Sequence, residues 1–461
     1  MTIRLNDSFS GMKEFIPIEK NRVKIYSCGP TVYSYASIGN LRAYIFSDVL
    51  KKSLEYIGFE IDDAMNITDV GHLVGDGDDG EDKLEKKANQ EDLPILEIID
   101  TYTDYFYKSL QNVNVKLPKK IYKASETIDT QIELIEKLFD KGFAYTTSNG
   151  VYFDVSMFPE YSKLINQTSS DQNEHSRIDV IIDKTKKNPQ DFRLWQTSYP
   201  NHIMQWDSPW GRGFPGWHIE CSAIIYKSLG ESIDIHTGGI DLRNTHSVNE
   251  IAQSKSIFNT NFVNFWMYNG IVLVDGVKMA KSLNNIYRLE DIEEKGIKKI
   301  SLRYLYLNSH YSVPINFTFD SINSVENALN RIYNFISINK NLYDENIHVN
   351  KVYKDKFINQ IENNINTPGL LEVLWSVIRD DSLSIQEKLV TIIDFDRVLS
   401  LDFINYFNID IPDEIVKLLE KRSQLRKDKK WNESDEIRDS LIKLGYKVID
   451  LKDNSLIIKN G

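Results

Sequence analysis

Cysteine is nearly absent: Cys28 and Cys221 are the only two in 461 residues. So few thiols in so long a chain exclude the disulfide framework that holds small secreted domains together. No segment approaches the run of about 20 apolar residues that a membrane-spanning helix needs. The opening stretch MTIRLNDSFSGMKEFIP has no apolar signal core. The expected location is therefore the cytoplasm, with no membrane partner. An excess of positive charge is missing too. The formal net charge is −12, so any RNA contact has to come from a local basic patch rather than the overall field. No internal repeat of solenoid period is present. Hydrophobic content of 41% is ordinary for a globular protein, and the length suggests about three domains.

The first readable unit is strand, helix, strand. Val23 to Cys28 reads as a short buried strand, broken by Gly29-Pro30. Apolar residues then recur at Leu41, Ile45, Val49, Leu50, Leu54 and Ile57, one face of a helix that Gly58 stops. Residues 59–68 read as a second strand. This spacing predicts a parallel βαβ unit with its ligand crevice at the carboxyl ends of the strands. The turn between strand and helix is a natural phosphate site. Residues 69–90 read as a solvated loop leading into an exposed helix. Asp76, Asp78, Asp79 and Glu81 lack the regular spacing of a metal loop. An insertion follows, with a helix near 125–142, a hairpin at 142–155 and a polar run at 162–190. Strand-like sequence returns at 232–236. After residue 319, VENALNRIYNFI and LLEVLWSVIRD fit amphipathic helices. A last unit from about 412 combines a basic helical stretch with a terminal hairpin.

Four residues suggest a metal. Cys28 ends the first strand, and Cys221 lies in GWHIECS (216–222). His246 and Glu250 lie four apart in THSVNEIAQS (245–254), one turn apart on a helix face. Two thiolates, an imidazole and a carboxylate suit a four-coordinate zinc ion. Taken singly, a cysteine is more often a small buried apolar residue, and a His/Glu pair a surface contact. The four are scattered along half the chain, so spacing alone leaves the metal open.

The motifs also carry a resemblance. Cys28-Gly29-Pro30-Thr31-Val32-Tyr33, GWHIECS, DIHTGGIDL (234–242) and THSVNEIAQS resemble, in order, four signatures of the bacterial-type cysteinyl-tRNA synthetases, a class I family. The resemblance spans nearly the whole chain. It implies that Cys28, Cys221, His246 and Glu250 bind one Zn2+. The family usually has a His-His-Glu-Asn-Glu run where this chain has His246-Ser247-Val248-Asn249-Glu250, and both ligand positions survive. The resemblance further implies that Gly29, Thr68 and Trp217 line a cysteine pocket and that His236 lies near the substrate thiol. Gly238, Gly239 and Asp241 should lie near the substrate amine or the adenosine. Zinc suits the task. Packing differences as small as sulfur for oxygen give only about 1–3 kcal/mol of discrimination. A metal-bound thiolate is something a hydroxyl matches in neither softness nor acidity.

Ala36-Ser37-Ile38-Gly39-Asn40-Leu41-Arg42 stands where class I enzymes hold a His-Ile-Gly-His-like ATP motif. Ser37 replaces the first His and Asn40 the second. A serine hydroxyl can bond a phosphate but carries no charge, and read alone both residues are ordinary helix caps. Gly39 lets a nucleotide approach the backbone closely. Val277-Lys278-Met279-Ala280-Lys281-Ser282 resembles the Lys-Met-Ser-Lys-Ser loop. That implies phosphate contacts by Lys278, Lys281 and Ser282 as pyrophosphate, with its Mg2+, departs. The stretch KRSQLRKDKK (421–430) carries six basic residues and one acid. Such a patch attracts phosphates, and a neighbouring aromatic can stack on an unpaired base. The region resembles the family's C-terminal anticodon-binding unit. This implies tRNA contacts by Arg422, Arg426, Lys427, Lys430, Trp431 and Arg438. Asn366-Thr367-Pro368 resembles the family's helical bundle.

The expected fold is α/β, with a Rossmann-like parallel sheet interrupted by an insertion, then a helical bundle and a small anticodon-binding unit. The expected boundaries are 1–115 and 205–270 for the two catalytic halves and 116–204 for the insertion. A stem-contact region (271–318), the bundle (319–411) and the last unit (412–461) follow. The expected activity is ATP-dependent activation of L-cysteine and its transfer to the 3′ end of tRNA(Cys), by a monomer with no protein nucleophile. A cysteine ligase acting on an amino sugar fits the first half of the chain but has no use for the basic end. A non-catalytic tRNA-binding paralogue is favoured only by Ser37.

Overall fold

The computed structural model describes residues 2–73, 81–169, 184–280, 283–407, 412–450 and 455–459. The chain forms two compact units. One comprises Met1–Asp291, His310–Asn316 and Ile361–Ile365, and the other Ile292–Ser309, Phe317–Gln360 and Asn366–Gly461.

The first unit is built on a parallel sheet of five strands. These are β1 (Arg22–Ser27), β2 (Glu60–Ile67), β3 (Lys120–Lys123), β4 (Ile233–Gly239) and β5 (Val263–Asn269), in the order β5-β4-β1-β2-β3. The chain runs outward from β1 to β3, then returns to lay β4 on the other side of β1. That reversal opens a crevice at the carboxyl ends of β1 and β4, where open α/β sheets bind ligands. The crossover helix α1 (Ile38–Tyr56) starts on a capping box. Asn40 N donates to Ser37 Oγ (3.3 Å) and Ser37 N to Asn40 Oδ1 (2.9 Å). The Leu41, Ile45, Val49, Leu50 and Leu54 face is buried as its periodicity predicts.

Strand β2 is buried although it carries two adjacent acids. Asp63 accepts from Lys51 Nζ at 2.8 Å inside the unit, and Asp62 pairs with Lys120 Nζ at 2.8 Å. The second pair explains a difference from the sequence reading. KIYK (120–123), placed in the insertion, is the edge strand of the central sheet, and a neighbouring carboxylate steadies Lys120. The insertion itself holds the helix Ile128–Asp140 and a four-stranded antiparallel sheet. Its last strand, Phe214–Pro215, lies in what the sequence assigned to the second catalytic half.

Residues 69–90 are not uniformly solvated. Val70, His72, Leu73, Asp82 and Leu84 are buried. Lys83 N donates to His72 O (3.1 Å), tying the two ends of the excursion together. Asp82 caps helix α2 (Lys83–Glu91), accepting from Leu84 N at 2.8 Å. Asp76, Asp78 and Asp79 lie outside the described residues.

The second unit is helical. Phe319–Asn339, Thr367–Arg379 and Ile385–Leu399 are among its helices, with most of Lys351–Glu362. Its interior includes stacked Phe357 and Phe395, with ring centroids 4.0 Å apart. Helices Asp413–Lys427 and Trp431–Lys443 and the hairpin Tyr446–Asp450/Ser455–Lys459 close on a small core of Ile415, Leu419, Leu441, Tyr446 and Val448. The basic stretch thus covers the end of the first of these helices and the turn before the second, where Lys429 adopts a left-handed φ of 58°. No helix among the described residues is long and apolar enough to cross a membrane.

Candidate active site and metal centre

Three segments meet at the carboxyl end of β1. Cys28 follows β1 directly. Cys221 lies in helix α3 (Trp217–Leu229), and His246 and Glu250 share one face of helix α4 (His246–Phe258). One ligand atom from each of Cys28, Cys221, His246 and Glu250 lies within 4.8 Å of the others, and all four residues are buried. His246 Nε2 is 3.3 Å from Cys221 Sγ and 3.1 Å from Glu250 Oε1. Zinc bound at about 2.0–2.3 Å sets its tetrahedral ligands roughly 3.3–3.8 Å apart, so the group fits such an ion after slight contraction. Glu250 Oε1 is buried and makes no well-aligned hydrogen bond, its short contact being with the fellow ligand His246, as suits an oxygen that faces a metal.

The surroundings suit those roles. His246 Nδ1 contacts His218 Nδ1 at 3.0 Å, which orients the ring so that Nε2 faces the group. His236 Nε2 lies 3.1 Å from Glu250 Oε2, and its ring stacks on Trp266 at 4.4 Å. Burial pushes the Cys221 thiol well above its ordinary pKa, with Cys28 beside it adding to the rise. Burial alone would raise Glu250 as well, but His236 and His246 outweigh it and hold that carboxyl at about 2.

A cleft of about 430 Å³ opens beside the group. Cys28, Gly29, Ser37, Gly39, Asn40, Trp217, Gly239, Asp241, Lys278 and Met279 all line it. The structure thus brings together most of the site residues singled out in the sequence. Ser37 and Asn40 are both helix caps and cleft wall, so the two readings of that pair are compatible. Gly29 is required sterically, because a Cβ there would stand 1.7 Å from the carbonyl oxygen of Asn66. Gly238 packs against Leu242 and Cys28 behind the wall. Lys281 and Ser282 lie outside the described residues.

Thr68 and Arg422 stand elsewhere than expected, and His236 stands against the metal group. Thr68 does not line the cleft. Its hydroxyl donates to the Glu220 carboxylate at 2.8 Å and accepts from Asn66 Nδ2 at 2.9 Å, one layer behind Gly29. His236 is fully buried behind Cys28, with Nε2 3.9 Å from its Sγ. Arg422 is fully buried, whereas Lys427, Lys430, Trp431 and Arg438 are exposed and Arg426 is half-buried. A guanidinium in the interior is not available to a phosphate, so Arg422 is a structural residue. Its helical position places it on the same face as the core residues Leu419 and Leu425.

Sequence reasoning missed several groups. Asn66 accepts from Gly29 N (2.6 Å) and Tyr26 hydroxyl (3.0 Å) and donates to Glu220 (2.7 Å), linking the cleft wall to α3. Burial pushes Glu220 up to about 8 despite those hydrogen bonds. His72 and Lys83, from the segment read as solvated, line the cleft. No local pattern marks them.

The comparisons with known proteins follow the same order as the fold. Residues 14–327 match the family of tRNA synthetases class I (C) catalytic domains, and residues 409–454 match the cysteinyl-tRNA ligase anticodon binding domain. The chain is 37% identical to the cysteine--tRNA ligase of Treponema denticola, over 96% of this chain and 97% of that protein. It is 37% identical to that of Caldicellulosiruptor saccharolyticus, over 95% of each. Among solved structures, it shares its fold with the Mycobacterium tuberculosis methionyl-tRNA synthetase in complex with methionyl-adenylate (TM-score 0.57, 12% identity, 84% of this chain and 91% of that one). It also shares it with the Agrobacterium radiobacter LeuRS in a ternary complex with tRNA (TM-score 0.61, 10% identity, 86% and 87%). A matched catalytic domain, a matched anticodon-binding domain and relatives alike from end to end place the chain in the class I family of cysteine--tRNA ligases, enzymes that join cysteine to tRNA.

Proposed function

We propose that the cleft is where L-cysteine and ATP form cysteinyl-adenylate, and that Cys28, Cys221, His246 and Glu250 hold one Zn2+ that selects the substrate sulfur. The convergence of four buried ligand atoms from distant segments on one point beside the cleft carries this reading. Bound zinc supplies a soft acceptor for a thiolate. The chain's own residues do the rest. Gly29 and Trp217 wall the amino-acid side, with Thr68 behind that wall and His236 against the metal group, near the substrate thiol. Ser37, Gly39, Asn40, Gly239 and Asp241 receive the nucleotide. Lys278, with Lys281 and Ser282, meets the phosphates and their Mg2+. Lys427, Lys430, Trp431 and Arg438, with half-buried Arg426, form the tRNA(Cys)-facing surface, supported by their exposure and charge.

This reading takes the protein as a cytoplasmic monomer. The catalytic halves, stem-contact region, bundle and terminal unit keep the boundaries expected above as working limits, except that the first catalytic half extends through Lys120–Lys123 and the insertion runs from there to Phe214–Pro215. Metal analysis and cysteine-dependent ATP–pyrophosphate exchange test the reading. About one zinc per chain is expected. Chelated protein that remains folded by circular dichroism should lose cysteine affinity and discriminate poorly against serine. Unchanged cysteine-dependent exchange in folded, metal-free protein rejects the proposal.

A further inference from the structure

The joining of a carboxylate to an α-phosphate brings two anions together, and the site must supply positive charge where they meet. In this chain Ser37 stands at a motif position where a charged side chain is the alternative. Among the described residues lining the cleft, Lys83 and Lys278 are the only lysines or arginines. They differ in mounting. Lys278 ends the exposed second strand of a hairpin formed by Val272–Val274 and Val277–Lys278. Lys83 is the first residue of α2, half-buried, on a wall tied down by the Asp82 cap and the bond from Lys83 N to His72 O.

The Lys83 side chain is aimed by a relay. Its Nζ lies 2.7 Å from His72 Nε2. An ammonium only donates, so Nε2 accepts, the ring proton sits on Nδ1, and Nδ1 donates to Thr31 Oγ1 at 2.6 Å. The neutral ring lies flat on Trp217, with centroids 4.0 Å apart and planes 12° apart. One stack and two hydrogen bonds therefore connect the Lys83 ammonium to Trp217 on the proposed amino-acid wall and to Thr31 in the loop after β1.

We propose that Lys83 binds an oxyanion of the adenylation reactants, either the cysteine carboxylate or the ATP α-phosphate, and that His72 is the positioning residue that aims it. The inference rests on the cleft being the adenylation site. It assigns to a fixed wall the charge that Ser37 does not provide.

The test compares wild type with K83Q, K83R and H72A in pyrophosphate exchange and in equilibrium binding of cysteine and ATP. K83Q should lose about 10–100-fold in kcat/KM, the scale of a charge-assisted hydrogen bond, with K83R recovering most of it. H72A should show a smaller loss. If the carboxylate is the ligand, KM for cysteine rises while inhibition by cysteine methyl ester, which lacks the anion, is unchanged. If the phosphate is the ligand, ATP binding weakens instead. Metal content and melting temperature stay at wild-type values. K83Q within about twofold of wild type in exchange and in both affinities overturns the proposal. So does a loss that K83R fails to restore and that metal content and melting temperature share. Wild-type exchange in the same series tests the adenylation reading separately, and the binding arms decide the Lys83 proposal even if exchange fails.

Discussion

Replacing Gly29 by alanine is the sharpest perturbation the geometry offers. The added methyl would lie 1.7 Å from the Asn66 carbonyl oxygen and 3.1 Å from Met65 Cγ, and real Cβ atoms essentially never come within 3.0 Å of another heavy atom. The obstacle is backbone, so no rotamer relieves it. The loop after β1 and the end of β2 must part by about 1.3 Å, the difference between those two separations. That motion pulls Gly29 N from Asn66 Oδ1, now 2.6 Å away, and disturbs the link onward to Glu220 on α3. It also moves the adjacent Cys28, whereas metal ligands tolerate only about 0.2 Å. A displacement of about 1 Å at a reacting group costs on the order of 100-fold. G29A should therefore lose at least about 100-fold in kcat/KM for cysteine and be deficient in bound metal. The global cost to stability should be only about 1–3 kcal/mol. Exchange kinetics, metal analysis and thermal unfolding read these three quantities. A folded G29A protein with full metal and near-normal kinetics would falsify the claim that this backbone contact sets the site.

Arg42, on α1, is buried and donates to the carbonyls of Gly270 (2.8 Å), Ile271 (2.9 Å), His310 (3.3 Å) and Val313 (2.6 Å). R42M leaves those acceptors without this donor and should cost about 3 kcal/mol, read by denaturant unfolding. An undiminished midpoint would show that the bonds are replaceable. K427A/K430A should weaken tRNA binding and flatten its salt dependence by up to about 0.9 per lost phosphate contact, leaving pyrophosphate exchange unchanged. R422A should instead lower melting temperature, because Arg422 is interior, and selective loss of tRNA affinity without destabilisation would contradict that placement. His202 Nε2 lies 3.6 Å from Asp82 Oδ2. Burial opposes its protonation, yet Asp82 and Glu85 outweigh burial and hold its pKa above the ordinary value. The folded state then binds the proton more tightly, so this stabilisation is complete below about pH 6.5 and is lost as pH rises through the folded value. H202Q should lower the melting temperature at pH 6 and change it least at pH 9. An equal drop at both values would point to packing, not charge.

Local pattern determined much. The β1–α1–β2 unit follows from an apolar run, a helical face and the Gly-Pro break, because burial imposes those periods on any chain. Donor chemistry together with the family resemblance singled out Cys28, Cys221, His246 and Glu250, and Ser37 and Asn40 announce themselves as caps. What escaped has no period to read. Strand β3 is four residues with two lysines, and it becomes a strand because Asp62 and β2 stand beside it. Charge density selected Arg422 as readily as Lys427, and only the packing of two helices and a hairpin turned one inward. His72 and Lys83 lay in a segment dominated by acids. Composition along a chain reports how solvated a segment is on average, whereas the direction of one side chain depends on neighbours brought in from elsewhere. The sequence by itself determined which chemistry was available and which strand ends would carry it. Laying β4 back against β1 decided which of those groups share a cleft, because only that reversal brings α3 and α4 to the end of β1.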